Sequence, residues 1–169
     1  MMEIVTDLIL GLICSSIGIV GALLLAWLQF TETVIFSLSP FSSINFLVVT
    51  GLLIMYNSSF SKNSIGSVVI YCIIAFLYHI GRITEYLEKE DKRFRILFLS
   101  FGYTKKEYVG MYLFRKSTHR NLSSLLSCWG LLTTGLVLSD FYANASGKLI
   151  LGGLLIILGF TSALLDRKE

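Results

Sequence analysis

From Leu8 to Leu28 the chain carries no charged side chain. An apolar helix of about 20 residues matches the ~30 Å hydrocarbon core of a bilayer, and within lipid only a helix or a closed barrel satisfies every backbone polar group. Four further apolar stretches follow: Val34–Tyr56, which contains the single proline Pro40; Ile65–Ile83; Leu122–Ser139, diluted by Ser123, Ser124, Ser127, Thr133 and Thr134; and Leu149–Leu165. The expectation is an all-α polytopic membrane protein with five transmembrane helices in one domain covering residues 1–169. Composition agrees. Only 15% of residues are charged and mean hydropathy is +0.75, whereas about 25% of a soluble domain is charged. The residues before Leu8 include Glu3 and Asp7 and no lysine or arginine. A cleaved secretory signal needs a basic start, so the first stretch is expected to be a permanent helix.

The net charge of +3 is too small to imply nucleic-acid binding, but its distribution is informative. Ten of the fourteen basic residues lie between Arg82 and Arg120: Arg82, Lys89, Lys92, Arg93, Arg95, Lys105, Lys106, Arg115, Lys116 and Arg120. Against five acidic residues (Glu85, Glu88, Glu90, Asp91, Glu107) they leave that segment at +5. Basic loops stay on the cytoplasmic side, which predicts an outside N-terminus and a cytoplasmic C-terminus. The external loops, residues 57–64 and 140–148, are short. The surface open to a soluble partner is therefore expected to be the cytoplasmic segment at residues 84–120.

Within that segment, Thr84–Phe101 has no glycine or proline, and Glu85 and Glu88 each precede a lysine by four residues. It reads as a helical stalk continuing the third span. Gly102 suits a helix C-terminus because it adopts the left-handed conformation without steric cost. Thr104-Lys105-Lys106-Glu107 has the form of a capping box. A second helix, Lys105 to about Ser117, would then place Tyr108, Met111, Tyr112 and Arg115 along one side, with Val109 and Leu113 beside them. Such an amphipathic helix serves either as a basic anchor among lipid headgroups or as a docking element.

The run Leu97-Phe98-Leu99-Ser100-Phe101-Gly102-Tyr103-Thr104-Lys105-Lys106-Glu107-Tyr108 resembles the stalk-and-elbow stretch of FtsX-like ABC permeases of the MacB, LolE and BceB type. The resemblance covers residues 65–165 in layout and about a dozen residues in motif. It implies a bacterial membrane subunit whose elbow contacts a separate cytoplasmic ATP-binding subunit, in a complex that exports, or gives resistance to, peptides or lipids. It implies docking residues Leu97, Gly102, Tyr103, Thr104, Lys105, Lys106, Glu107, Tyr108, Met111, Tyr112 and Arg115. The family's large extracellular domain is here reduced to residues 57–64, and the helix Leu8–Leu28 is additional. The Glu-Ala-Ala loop of importer permeases does not precede Gly102. The rival from another class is a non-transport immunity or accessory protein that binds a partner within the bilayer.

No phosphate-binding loop of the GxxxxGK[ST] form is present, so any ATPase activity is expected on another chain. Cys14, Cys72 and Cys128 lie singly in predicted spans and are expected to be reduced packing residues, with no metal or other cofactor. His79 stands one turn before Arg82 near the inner end of the third span, where an interfacial position is expected. No enzyme activity is expected. Small residues recur on the first helix (Gly11, Ser15, Gly18, Ala22, Ala26), the fourth (Gly130, Thr134) and the fifth (Gly159, Ala163). Rows of this kind permit close helix approach, within the chain or with a second membrane subunit or copy.

Overall fold

The computed structural model describes residues 2–30, 39–59, 65–89, 92–111, 117–141 and 145–166. Among them there are helices and turns and no strand: α1 (Met2–Phe30), a 3-10 turn (Ser39–Ser43), α2 (Phe46–Ser59), α3 (Ile65–Lys89), α4 (Lys92–Ser100), α5 (Lys105–Gly110), α6 (Thr118–Phe141) and α7 (Ala145–Asp166). Three helices hold stretches long and apolar enough to cross a membrane, Val5–Gln29, Ile65–Thr84 and Ser146–Ala163. α6 has the length, 24 residues, but is not among the three. Its serines and threonines dilute its apolarity.

Of the expected second span, residues 34–38 lie outside the described residues, and the rest is a 3-10 turn followed by a helix. Proline lacks an N–H and its ring clashes with the preceding turn, and around Pro40 the chain makes a 3-10 turn. The Ser43 hydroxyl donates to the Pro40 carbonyl at 2.7 Å. α2 begins at Phe46, after this turn, and is described over 14 residues. At ~1.5 Å per residue it reaches about 21 Å, short of the ~30 Å apolar core. The expected continuous stalk is described as two helices, α3 to Lys89 and α4 from Lys92, with residues 90–91 outside the described residues.

Close approaches set the helix directions. Cys14 of α1 reaches the Val68 carbonyl of α3, and a Cβ on Gly18 would lie 2.8 Å from Ala75, so α1 and α3 run parallel. α6 runs antiparallel to α1: Ser15 donates to the Leu125 carbonyl, while Gly11, one turn earlier, lies against Thr133. α2 and α7 are antiparallel, with Gly51 on Gly152 and Val48 on Gly159. The core gathers Cys14, Val49, Leu53, Tyr71, Ala75 and Leu132. A second cluster joins Ala22 and Ala26 of α1, Ile80 and Ile83 of α3, and Tyr108 and Val109 of α5.

Asn45 couples the start of α2 to α7. Its Oδ1 accepts from the Val48 amide at 3.1 Å, the position a helix N-cap serves. Its Nδ2 donates to the Gly159 carbonyl and to Ser162 Oγ, each at 2.8 Å. Asn45→Ala removes the cap, worth about 1 kcal/mol, and two interhelical bonds, worth about 0.6 kcal/mol each in a lipid setting. The expected loss of about 2 kcal/mol would appear as a lowered thermal midpoint in detergent. Asn45→Asp, which keeps the acceptor and loses the donors, should fall between.

Candidate functional site

The elbow is built by local rules. α4 ends as Phe101 N–H donates to the Leu97 carbonyl and Gly102 N–H to that of Leu99, at 3.2 and 3.1 Å. Gly102 sits at φ +86, where a Cβ would meet nothing within 4 Å. The requirement for glycine here is therefore conformational rather than steric. Thr104 is extended and caps α5: its hydroxyl accepts from the Glu107 amide at 3.3 Å. Glu107 Oε2 in return accepts from the Thr104 amide at 2.9 Å and from its hydroxyl at 2.8 Å. Both halves of the capping box are present.

The same bonds hold the Glu107 carboxyl below its ordinary range, the Thr104 amide contributing first and its hydroxyl second. Because the folded pKa is depressed, the cap's contribution is present above the ordinary carboxylate pKa of about 4.3 and is lost as pH falls through the folded value. Carboxyl-carbon NMR should give Glu107 the lower titration midpoint of the two when compared with Thr104→Val. Equal midpoints in the two proteins would remove the hydroxyl's share and leave the Thr104 amide as the bond that lowers Glu107.

α5 is described as Lys105–Gly110, and Met111 retains helical angles. Residues 112–116, including the expected docking residues Tyr112 and Arg115, lie outside the described residues. The expected face divides. Tyr108 and Val109 are buried against α1 and α3, whereas Leu97, Phe101, Tyr103 and Met111 are 51%, 72%, 46% and 42% exposed. Lys106 and Glu107 are exposed as well. Phe98 was not among the expected residues and holds the corner, its ring 5.5 Å from those of both Tyr103 and Tyr108. Its only sequence signal is an aromatic residue two turns after the start of α4.

Among the small residues, a Cβ on Gly11, Gly18 or Gly159 would come within 3 Å of Thr133, Ala75 and Val48 respectively, whereas one on Gly130 meets nothing. Ser15 and Ala22 are fully buried. Gly130 thus stands on an open face of α6, away from the described helices.

His79 lies inside the helical bundle. It is 0% exposed, enclosed by α1, α3 and α6. Its Nδ1 lies 2.9 Å from Ser124 Oγ and its Nε2 lies 3.3 Å from Ser15 Oγ. The Ser15 hydroxyl donates to the Leu125 carbonyl at 3.1 Å, so it accepts from the ring. A neutral ring then carries its proton on Nε2, and Nδ1 accepts from Ser124. Three bonds run in one direction across three helices. α3 turns residue 79 toward α1 and α6, while Arg82 is exposed. Ser124 adds a partner that serine content alone could not single out.

Among the described residues, no group of three His, Cys, Asp or Glu side chains could hold a metal ion. The three cysteines are free thiols. No protein-family model, curated protein or solved structure matches the chain.

Proposed function

We propose that the chain is a five-pass membrane subunit of an ABC-type complex, with its N-terminus outside and its C-terminus cytoplasmic, and that the elbow docks a separate ATP-binding subunit. The observation that carries this reading is the division of the elbow. One side, Tyr108 and Val109, is buried on α1 and α3, while the other presents Leu97, Phe101, Tyr103 and Met111 outward. A partner gripping the outer side would displace a rigid capped corner rather than a loose loop, and the displacement would pass directly to α1 and α3. The relative helix directions support five passes: α1 and α3 run parallel, with α6 antiparallel to α1. α2, preceded by its 3-10 turn, and α6 supply the two passes of lesser length or apolarity.

The test is co-purification of the tagged chain with ATP-binding proteins encoded beside its gene. Capture of one of them, abolished by Phe101→Glu or by Leu97→Glu, is the expected result. Capture unchanged in both variants, or no ATP-binding protein captured by the native chain, overturns the docking role.

A further inference from the structure

Asn57, in the last turn of α2, uses only half of its amide. The side chain is 8% exposed. Its Oδ1 accepts from the Tyr71 hydroxyl at 2.6 Å, whereas its buried Nδ2 has no hydrogen-bond partner among the described residues. Buried donors are nearly always paired, because an unpaired one forfeits its bonds to water without replacement. The Tyr71 bond turns the amide toward α3. There Ser67 stands in the first turn and Tyr71 one turn later, on the same face; both are buried. Tyr56, beside Asn57, brings its hydroxyl 3.2 Å from Ser67 Oγ and its ring edge-on to that of Tyr71, the centroids 5.8 Å apart. One amide and three hydroxyls from two helices thus meet at the corner where α2 ends and α3 begins.

The open position is a donor, so it calls for an acceptor and excludes a cation. The surrounding charge favours an anion. Neither the last turn of α2, the first two turns of α3 nor the intervening residues 60–64 carry an acid, and Lys62 is the one charged residue among them. Asp7 of α1 stands seven residues before Cys14, whose thiol meets the Val68 carbonyl, and so lies about 10 Å further out along that helix. The start of α3 adds the positive end of its dipole and first-turn amides that have no intrahelical acceptor. A water would accept from Nδ2 as well, but it must also place two protons of its own, and an anion has none to place. We propose that this corner binds a small inorganic anion of the size of chloride, with Asn57 Nδ2 as its anchoring donor and the Ser67 and Tyr56 hydroxyls beside it. The inference requires neither the ATP-binding subunit nor a particular orientation of the chain in the membrane.

The full chain in detergent is melted at constant ionic strength while chloride replaces the larger anion gluconate. The native midpoint should rise saturably, by about 4 °C at ten times the dissociation constant. Asn57→Leu removes the anchoring donor and should flatten the response. Ser67→Ala is the smaller change and should raise the half-saturating chloride concentration about ten-fold, the scale of one hydrogen bond to a charged group; it decides the matter if Asn57→Leu does not fold. Chlorine-35 NMR of the native chain needs no variant: excess line width should appear and be displaced by bromide. A native midpoint and line width both indifferent to chloride overturn the site and leave a water as the partner of Nδ2. A chloride response unchanged by either substitution also overturns it, because the anion then binds elsewhere. Capture of an ATP-binding protein stays as it was in each of these outcomes.

Discussion

Replacing Gly51 by valine should cost on the order of 3 kcal/mol and lower the thermal midpoint in detergent by about 10 °C. The basis is a backbone-to-backbone crossing. A Cβ on Gly51 would lie 2.6 Å from the Gly152 carbonyl oxygen and 3.0 Å from the Ile156 amide nitrogen, and a Cβ on Gly152 would lie 2.8 Å from the Gly51 carbonyl oxygen. Side chains can rotate out of the way, but two helix backbones can only move apart, and that motion breaks the remaining α2–α7 contacts with it. Between lipid-embedded helices, association depends on close packing rather than on expulsion of water, so lost packing has little to replace it. Gly153 supplies the control, because a Cβ there meets nothing. Gly153→Ala should leave stability within about 0.5 kcal/mol of the native chain, or raise it through helix propensity, while Gly152→Ala destabilises. If the two neighbouring alanines behave alike, the crossing does not hold α7 in place.

These glycines also show where sequence reading reaches and where it stops. Periodicity identifies small residues that share a face, and so groups Gly11 with Ser15 or Gly130 with Thr134. Which face meets another helix is a tertiary fact, and Gly130 stands open while Gly11 lies against Thr133. The Gly102 turn and the Thr104–Glu107 box were legible because each is decided within four residues by backbone geometry and one hydrogen-bond exchange. Beyond that range the same elbow was not legible. Tyr108 and Met111 share a predicted side, yet Tyr108 turns inward because α1 happens to lie there. Pro40 carried a readable stop signal, and the apolar run across it concealed the break. For His79, the sequence offered a position along α3, whereas the rotation that aims its ring at Ser15 and Ser124 is a tertiary fact. Asn45 gave no sign of its partners, since Gly159 and Ser162 lie more than a hundred residues away in the chain.

His79→Ala is expected to destabilise the bundle by about 3 kcal/mol, the scale of a buried ring replaced by a void. His79→Phe separates packing from hydrogen bonding, because it fills most of the space and offers no polar atom. It leaves the Ser124 hydroxyl without its ring partner, and interhelical bonds of this kind average about 0.6 kcal/mol in membranes, with a maximum near 1.7. Ser15 is less affected, since its own proton goes to the Leu125 carbonyl. The asymmetry gives a sharp expectation for double-mutant cycles. His79→Phe with Ser124→Ala should couple, the double variant being more stable than the sum of the single losses predicts, because no orphaned hydroxyl remains. His79→Phe with Ser15→Ala should couple less. Nitrogen-15 NMR of the ring adds a readout that packing alone does not move: a protonated Nε2 and an accepting Nδ1, with the Nδ1 resonance shifting in Ser124→Ala. Additive cycles together with an unshifted Nδ1 would reduce His79 to a space-filling ring, and the directed chain from α6 through α3 to α1 would no longer account for its burial.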